Sequence, residues 1–216
     1  MNPMKWIGTL VLAFGLLITG WSGYQWYMGK QSVSDLAQSQ KVNATADDKN
    51  IQNVQTQDND LPKTENLHTA PSKPVSTLDY EFGKGEKMAS LEIPAIEKQF
   101  EVFWGTDDQS LDRGVGMYVS EWTTVPNLEK GHTVLSGHRE TVFTGLGDVA
   151  EGDVLTVNYD DTSYTYEVEK TWVTDAQDRS VIVEKDDATL TLTTCYPFEF
   201  FGDAPDRYII EAKLKK

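Results

Sequence analysis

The chain has little cysteine and little positive charge, and each shortage excludes a class of protein. Cys195 is the only cysteine among 216 residues, so neither an internal disulfide nor a multi-cysteine zinc site can form. Basic residues number 19 against 34 acidic ones, a formal net charge of -15, which leaves no basic face for a nucleic-acid backbone. The composition is still 39% hydrophobic, enough to fill a core. The single thiol is therefore either a packing group or a chemical one.

Charge is also missing near the amino terminus, where no charged side chain lies between Lys5 and Lys30. As a helix, Trp6–Tyr27 would extend about 33 Å, enough to cross a bilayer. Its aromatic residues cluster at the far end, as rings do in the headgroup layer. The sequence therefore predicts a retained single-pass anchor at 1–30, with the amino terminus cytoplasmic and the rest outside the cell. A cleaved signal peptide is the alternative, but residues 19–23 make a poor cleavage site.

Aromatic residues are absent from the next segment, 31–77, which is rich in Gln, Asn, Asp, Ser and Thr. Such a composition cannot bury enough apolar surface to fold. As a flexible coil the segment would span roughly 40 Å, enough to hold a domain clear of the lipid. We predict a disordered linker at 31–78.

Beyond Leu78, short β-branched and aromatic runs are separated by Gly, Asp, Asn and Pro, a pattern typical of an all-β domain. So many strands in residues 79–216 most simply close into one barrel, which also removes exposed strand edges. The predicted strands are Ala89–Ile93, Gln99–Trp104, Gly116–Val119, Thr133–Gly137, Val154–Tyr159, Thr162–Val173, Arg179–Val183, Thr189–Thr194 and Tyr208–Ala212, with short helical turns at Ser110–Asp112 and Thr141–Leu146.

Cys195 ends an alternating run, and Pro197 must interrupt the strand two residues later. A thiol at a strand end borders a loop while the sheet holds its backbone, which suits a nucleophile; buried packing is the alternative. Thiolate chemistry also needs an imidazole as proton partner and a hydrogen-bond donor for the oxyanion.

Three histidines and one arginine are candidates for those two roles. His68 lies in the predicted linker, and His132 precedes a predicted strand, so we interpret it as a surface histidine. His138 ends that strand and is the candidate acid/base. Arg207 opens the last strand with a permanently charged fork of donors, and its alternative role is a surface ion pair with a neighbouring aspartate.

Three segments around these residues, Leu-Ser-Gly-His-Arg at 135–139, Thr-Leu-Thr-Thr-Cys at 191–195 and Asp-Arg-Tyr at 206–208, together resemble the signature of the sortases. His138 precedes Cys195 by 57 residues and Arg207 follows it by 12, which suits strand ends that meet at one cleft. Each motif alone is weak, but the ordered set is strong. With Tyr-Pro-Phe after the cysteine, the set most resembles class D sortases of Bacillus-like Gram-positive bacteria.

The resemblance implies a closed eight-stranded sortase-type barrel in which Cys195 is the nucleophile, His138 the acid/base and Arg207 the stabiliser of the oxyanion. It also implies cleavage after Thr of Leu-Pro-x-Thr-x signals on secreted proteins, with transfer of the acyl group from a Cys195 thioester to a cell-wall peptide amine. No cofactor is required by this chemistry. By the same resemblance, the cleft would be lined by Ser136, Thr194 and Tyr196.

Two further features of the sequence carry alternative interpretations. The acidic run Glu184–Asp187, with Asp175 and Asp178, could hold calcium, but a solvated loop is the favoured interpretation. Leu61–Glu65 reads Leu-Pro-Lys-Thr-Glu and imitates the signal itself. It is either a pseudo-substrate or a chance match in a polar linker.

Two other functions fit the same residues. A membrane-tethered cysteine hydrolase would deliver the acyl group to water, and a catalytically inactive β-module would only bind peptides. An L,D-transpeptidase is disfavoured because the chain lacks the Ser-His-Gly segment near its nucleophile.

Overall fold

The structure is a computed structural model that describes residues 12, 14–21, 23–24, 27, 33–36, 75–199, 202 and 204–215. Residues 14–21 are helical. Within the described part of the chain, no helix is both long and apolar enough to cross a membrane. The anchor predicted at 1–30 falls partly outside the described residues and stays a prediction.

The described chain forms a single sheet that closes on itself. In chain order its strands are β1 (Val33–Asp35), β2 (Lys87–Ile93), β3 (Lys98–Trp104), β4 (Val115–Met117), β5 (Gly131–Ser136), β6 (Val154–Tyr159), β7 (Thr162–Asp175), β8 (Ala188–Tyr196) and β9 (Asp206–Leu214). The sheet order is β1-β3-β2-β6-β7-β9-β8-β5-β4, and β4 pairs back with β3. Strands β2 to β9 therefore form a closed barrel, and the predicted eight-stranded all-β fold is confirmed.

Strand β1 lies within the segment predicted as a disordered linker. Val33 pairs with Phe100 and Asp35 with Lys98 on the edge of β3, and the Leu36 amide donates to the Glu97 carbonyl at 3.2 Å. The rest of that segment, up to residue 74, lies outside the described residues.

One predicted strand is wrong. Arg179–Val183 forms no strand and belongs to the loop that joins β7 to β8. Both edges of β8 are already taken, by β5 on one side and β9 on the other, so no sheet edge is open to this segment. The predicted helical turns are displaced by a few residues: an α-helix, α1, spans Asp108–Leu111, and a 3₁₀ turn spans Leu146–Asp148.

Alternation along the strands builds the core. In β8, Leu190 and Leu192 are fully buried and belong to the core inside the barrel. Their neighbours Thr191 and Thr193 therefore face the opposite side of the sheet. Phe143 follows β5 and closes one end of the core, where its ring packs edge-on against Phe100 with centroids 5.6 Å apart. Burial of each such side chain stabilises the fold by about 2 kcal/mol.

Candidate active site

Cys195 lies one residue before the end of β8, on the outer face of the barrel. Alternation places Thr193 and Cys195 on the same face, opposite the buried leucines. The thiol is free and half-buried. Both neighbouring strands hold the backbone here, since β8 pairs with β5 as far as Thr193 and with β9 as far as Tyr196. The nucleophile candidate is therefore mounted on a rigid element beside a loop.

Arg207 is the residue directly opposite Cys195 in the antiparallel pair of β8 and β9. Residues that face each other in this way project from the same side of the sheet. Arg207 Nη1 donates to the carbonyls of Ala204 at 3.2 Å and Asp206 at 2.9 Å, which orients the guanidinium. The remaining donors of the fork make no other hydrogen bond within the described part of the chain.

His138 is held by the turn that follows β5. The Gly137 amide donates to the Thr193 carbonyl at 3.2 Å, and the amides of Val142 and Phe143 both donate to the His138 carbonyl. A side chain at Gly137 would place its Cβ 2.8 Å from the buried Phe143 ring, so only glycine fits beside the histidine. The backbone of His138 is thus fixed against the end of β8.

A single cavity of about 730 Å³ brings the three predicted catalytic residues together. Its lining comes from the ends of β5, β8 and β9, from α1 and from the loop between β7 and β8. Cys195, His138 and Arg207 all contribute to it. The roles assigned to them from the sequence stay predictions, and the structure places the three residues along one groove.

The three predicted substrate-binding residues lie in different environments. Ser136 and Thr194 line the cavity, but the Thr194 hydroxyl is buried and donates to the Gly137 carbonyl at 2.7 Å. That bond ties β8 to the turn that carries the histidine. Tyr196 is not part of the cavity lining; its ring packs against Phe198 at 5.6 Å between centroids.

Asp112 and Arg139 lie next to the site, and the sequence indicated no role for either. Asp112 caps α1, and its Oδ1 lies 3.9 Å from His138 Nε2, both side chains being 40% exposed. Arg139 is almost fully buried and donates to the carbonyls of Pro197 at 3.1 Å and Gly202 at 2.8 Å. It therefore fastens the connection between β8 and β9. In the sequence, the one indication of such a role was that Arg139 directly follows His138.

His132 is not the surface histidine that the sequence suggested. It lies within β5, fully buried, with Nδ1 2.8 Å from the Val183 carbonyl and Nε2 2.7 Å from Thr191 Oγ1. Burial lowers the pKa of His132 to about 4, opposed by its bond to the carbonyl and reinforced by nearby Lys185. In β5, His132 alternates with residues that face the core, so its ring lies on the outer face of the barrel. The β7–β8 loop covers the ring there.

Two of the acidic residues considered for calcium are engaged in the turns of that loop. Asp175 accepts from the Gln177 amide at 2.7 Å, and Asp178 accepts from Ser180 and Thr174. These bonds, those from Ser180 first, lower the pKa of Asp178. In the part of the chain that the structure describes, no group of three or more acidic, histidine or cysteine side chains is arranged to hold a metal ion.

Comparison with known proteins agrees with this geometry. The sortase domain family model matches residues 91–215. Sortase D of Bacillus subtilis (strain 168) is 34% identical over 210 residues, covering 97% of this chain and 98% of that protein. The solved catalytic domain of B. anthracis SrtD is 53% identical and covers 70% of this chain and 97% of its own, with a TM-score of 0.55. Clostridium perfringens sortase C, solved with the C-terminal cell wall sorting motif, is 26% identical and covers 63% and 74%, with a TM-score of 0.56.

The barrel, its cavity and these matches define a cysteine transpeptidase. The chain belongs to the sortase family, and its predicted resemblance to the class D sortases is confirmed. Sortases are transpeptidases that anchor proteins to the cell wall, and that general activity holds for this chain.

Proposed function

We propose that this sortase cleaves Leu-Pro-x-Thr-x signals after Thr and joins the new carboxyl end to an amine of a cell-wall precursor peptide. The observation that carries the proposal is the cavity in which Cys195, His138 and Arg207 meet. A relative of known structure, the C. perfringens sortase C, was solved with a sorting motif, which supports this substrate class. The residue after Thr would be Ala or Ser, as the class D resemblance implies.

In the first half-reaction the Cys195 thiolate attacks the Thr carbonyl carbon. The oxyanion that develops is stabilised by the Arg207 guanidinium, whose position opposite the thiol suits a donor for that charge. His138, as imidazolium, gives its proton to the leaving amine as the C–N bond breaks. The products are a thioester on Cys195 and a free amino terminus.

In the second half-reaction an amine attacks the thioester. The neutral imidazole of His138 takes the proton of the attacking amine, the new C–N bond forms, and the C–S bond breaks to return the thiolate. The Asp112 carboxylate lies beside this imidazole, with Oδ1 3.9 Å from His138 Nε2.

The same proposal includes a single-pass membrane anchor at residues 1–30, with the barrel on the extracellular side. It rests on the uncharged run between Lys5 and Lys30 and on the aromatic residues at its far end. Membrane-anchored clients and precursors would then share one surface with the enzyme. The signal-like segment Leu61–Glu65 lies outside the described residues and has no part in this proposal.

The test is a product analysis with the full chain. Leu-Pro-x-Thr-x peptides, varied at the last position, are incubated with and without hydroxylamine or a stem-peptide amine and followed by mass spectrometry. We expect an acyl adduct on Cys195, faster turnover with the amine, and an aminolysed product. Cys195→Ala should lose all three.

Other outcomes would favour the other candidate functions. A hydrolysed product alone, at a rate that added amine leaves unchanged, would indicate a cysteine hydrolase. Peptide binding without cleavage, equal in the chain with Cys195 and in Cys195→Ala, would indicate a peptide-binding module.

A further inference from the structure

One wall of the active-site cavity is formed by a segment without regular structure. We name residues 176–187, between β7 and β8, the wall loop. Val181, which is 9% exposed, and Ile182 from this loop line the cavity together with Cys195. Since the loop pairs with no strand, the position of these apolar side chains must depend on other contacts.

The first such contact is the buried imidazole of His132. A carbonyl can only accept, so Nδ1 of His132 carries the proton and donates to the Val183 carbonyl at 2.8 Å. Nε2 is then the acceptor for the Thr191 hydroxyl at 2.7 Å. Val183 directly follows Ile182, so this pair of bonds fixes the wall loop next to its cavity-lining residues.

The second contact is an ion pair on the same outer face. Glu211 in β9 lies opposite Thr191 of β8, and its side chain is 8% exposed. Its carboxylate accepts from Lys185 of the wall loop at 2.7 Å and from Lys170 of β7 at 3.2 Å. Burial alone would raise the pKa of Glu211, but the two ammonium groups lower it overall, which keeps the carboxylate charged.

This cluster is separate from the reacting atoms. Thr191 and Cys195 lie on one face of β8 four residues apart, a separation of about 13 Å along the strand. Neither His132, Glu211 nor Lys185 shares the cavity with the thiol. Their influence on the reaction must therefore pass through the wall loop.

We propose that His132, Glu211 and Lys185 form a clamp that holds the wall loop in the conformation that binds the acyl-donor peptide. These three positioning residues would thereby determine the KM of the enzyme for that peptide. The inference rests on the proposed function, because it assumes that the cavity takes a sorting-signal peptide. Without the clamp, peptide binding would have to order the twelve residues of the wall loop, with a loss of conformational entropy. With the clamp, the loop is already ordered before the peptide binds. The chemical step, performed by other residues, is left unchanged.

The test compares Lys185→Met with a matched control, Lys213→Met. Lys213 forms an ion pair with Asp187 of the same loop, but at 3.4 Å and with the Asp187 side chain 70% exposed, so it should hold the loop little. With a Leu-Pro-x-Thr-x peptide and saturating amine, we expect Lys185→Met to raise KM about tenfold with kcat within about twofold. Lys185→Arg should restore KM, and Lys213→Met should leave it unchanged.

Two measurements separate this inference from the proposed function. Hydrogen exchange of residues 176–187 should be faster in Lys185→Met than in Lys213→Met, while the rate of Cys195 alkylation by iodoacetamide stays the same in both. If the unmodified chain cleaves no such peptide, the proposed function fails. If it cleaves the peptide but KM changes equally in the two variants, or kcat falls as much as KM rises, or the exchange of the loop is unaltered, the clamp is refuted.

Discussion

Mild acid should destabilise this protein through one buried side chain, His132. The pKa of His132 is about 4 in the folded chain, against about 6.5 for a free histidine. Between those values the unfolded chain binds a proton that the folded chain excludes, so stability is full above the unfolded pKa and is lost as the pH falls. Linkage gives a loss of about 2 kcal/mol between pH 7 and pH 5, and about 3 kcal/mol below pH 4.

The structural reason is that protonated His132 would have to reverse one of its two hydrogen bonds. Nε2 accepts from Thr191 Oγ1, and a proton on Nε2 would force that hydroxyl to turn and act as acceptor, in a position with no access to water. Lys185 nearby also disfavours the positive charge. Glu211 does not contribute between pH 7 and pH 5. Its lowered pKa affects stability only at pH values below the pKa that the same side chain has in the unfolded chain.

The assay is guanidinium unfolding of the full chain, followed by tryptophan fluorescence at pH 7 and pH 5. His132→Gln should be less stable than the unmodified chain at pH 7, yet should lose about 2 kcal/mol less between the two pH values. His138→Gln, the same change at an exposed histidine, is the matched control. Equal pH dependence in the unmodified chain and in His132→Gln would refute the argument.

Three further outcomes follow from the site. Gly137→Ala would bring a Cβ within 2.8 Å of the fully buried Phe143 ring, so the free energy of unfolding should fall by about 1–3 kcal/mol in the same assay. Arg207→Lys should lower kcat of peptide cleavage roughly 100-fold, since a point charge replaces a fork of donors at the proposed oxyanion site; an unchanged kcat would exclude that role. Asp112→Asn should lower kcat/KM by no more than about fivefold, because its contact with His138 is long and exposed; a loss of several hundredfold in steady-state assays would contradict this estimate.

Much of the barrel was predictable because its signals are local. Alternation in Leu190–Leu192 and Val154–Tyr159 identifies a strand and its buried face without knowledge of any partner. The failure at Arg179–Val183 has the opposite cause, since its β-branched residues resemble a strand although no sheet edge is left to receive them.

The same distinction applies to the candidate site. Cys195 and His138 were identifiable because each lies within two residues of a strand end. Asp112 lies 26 residues from His138 in sequence, and only the closure of the barrel brings the two together. His132 was mistaken for a surface residue because the loop that covers it is 51 residues away along the chain.

The pairing of Cys195 with Arg207 has a consequence for how this enzyme can vary. Hydrogen bonds between β8 and β9 place Cys195 and Arg207 opposite each other, so the part of the connection from 197 to 203 does not have to. Insertions or deletions there would change this connection while Cys195 and Arg207 stay opposite each other in the sheet. A one-residue slip between the strands, in contrast, would turn one of the two side chains towards the barrel interior and disable the enzyme without altering a single residue of its signature.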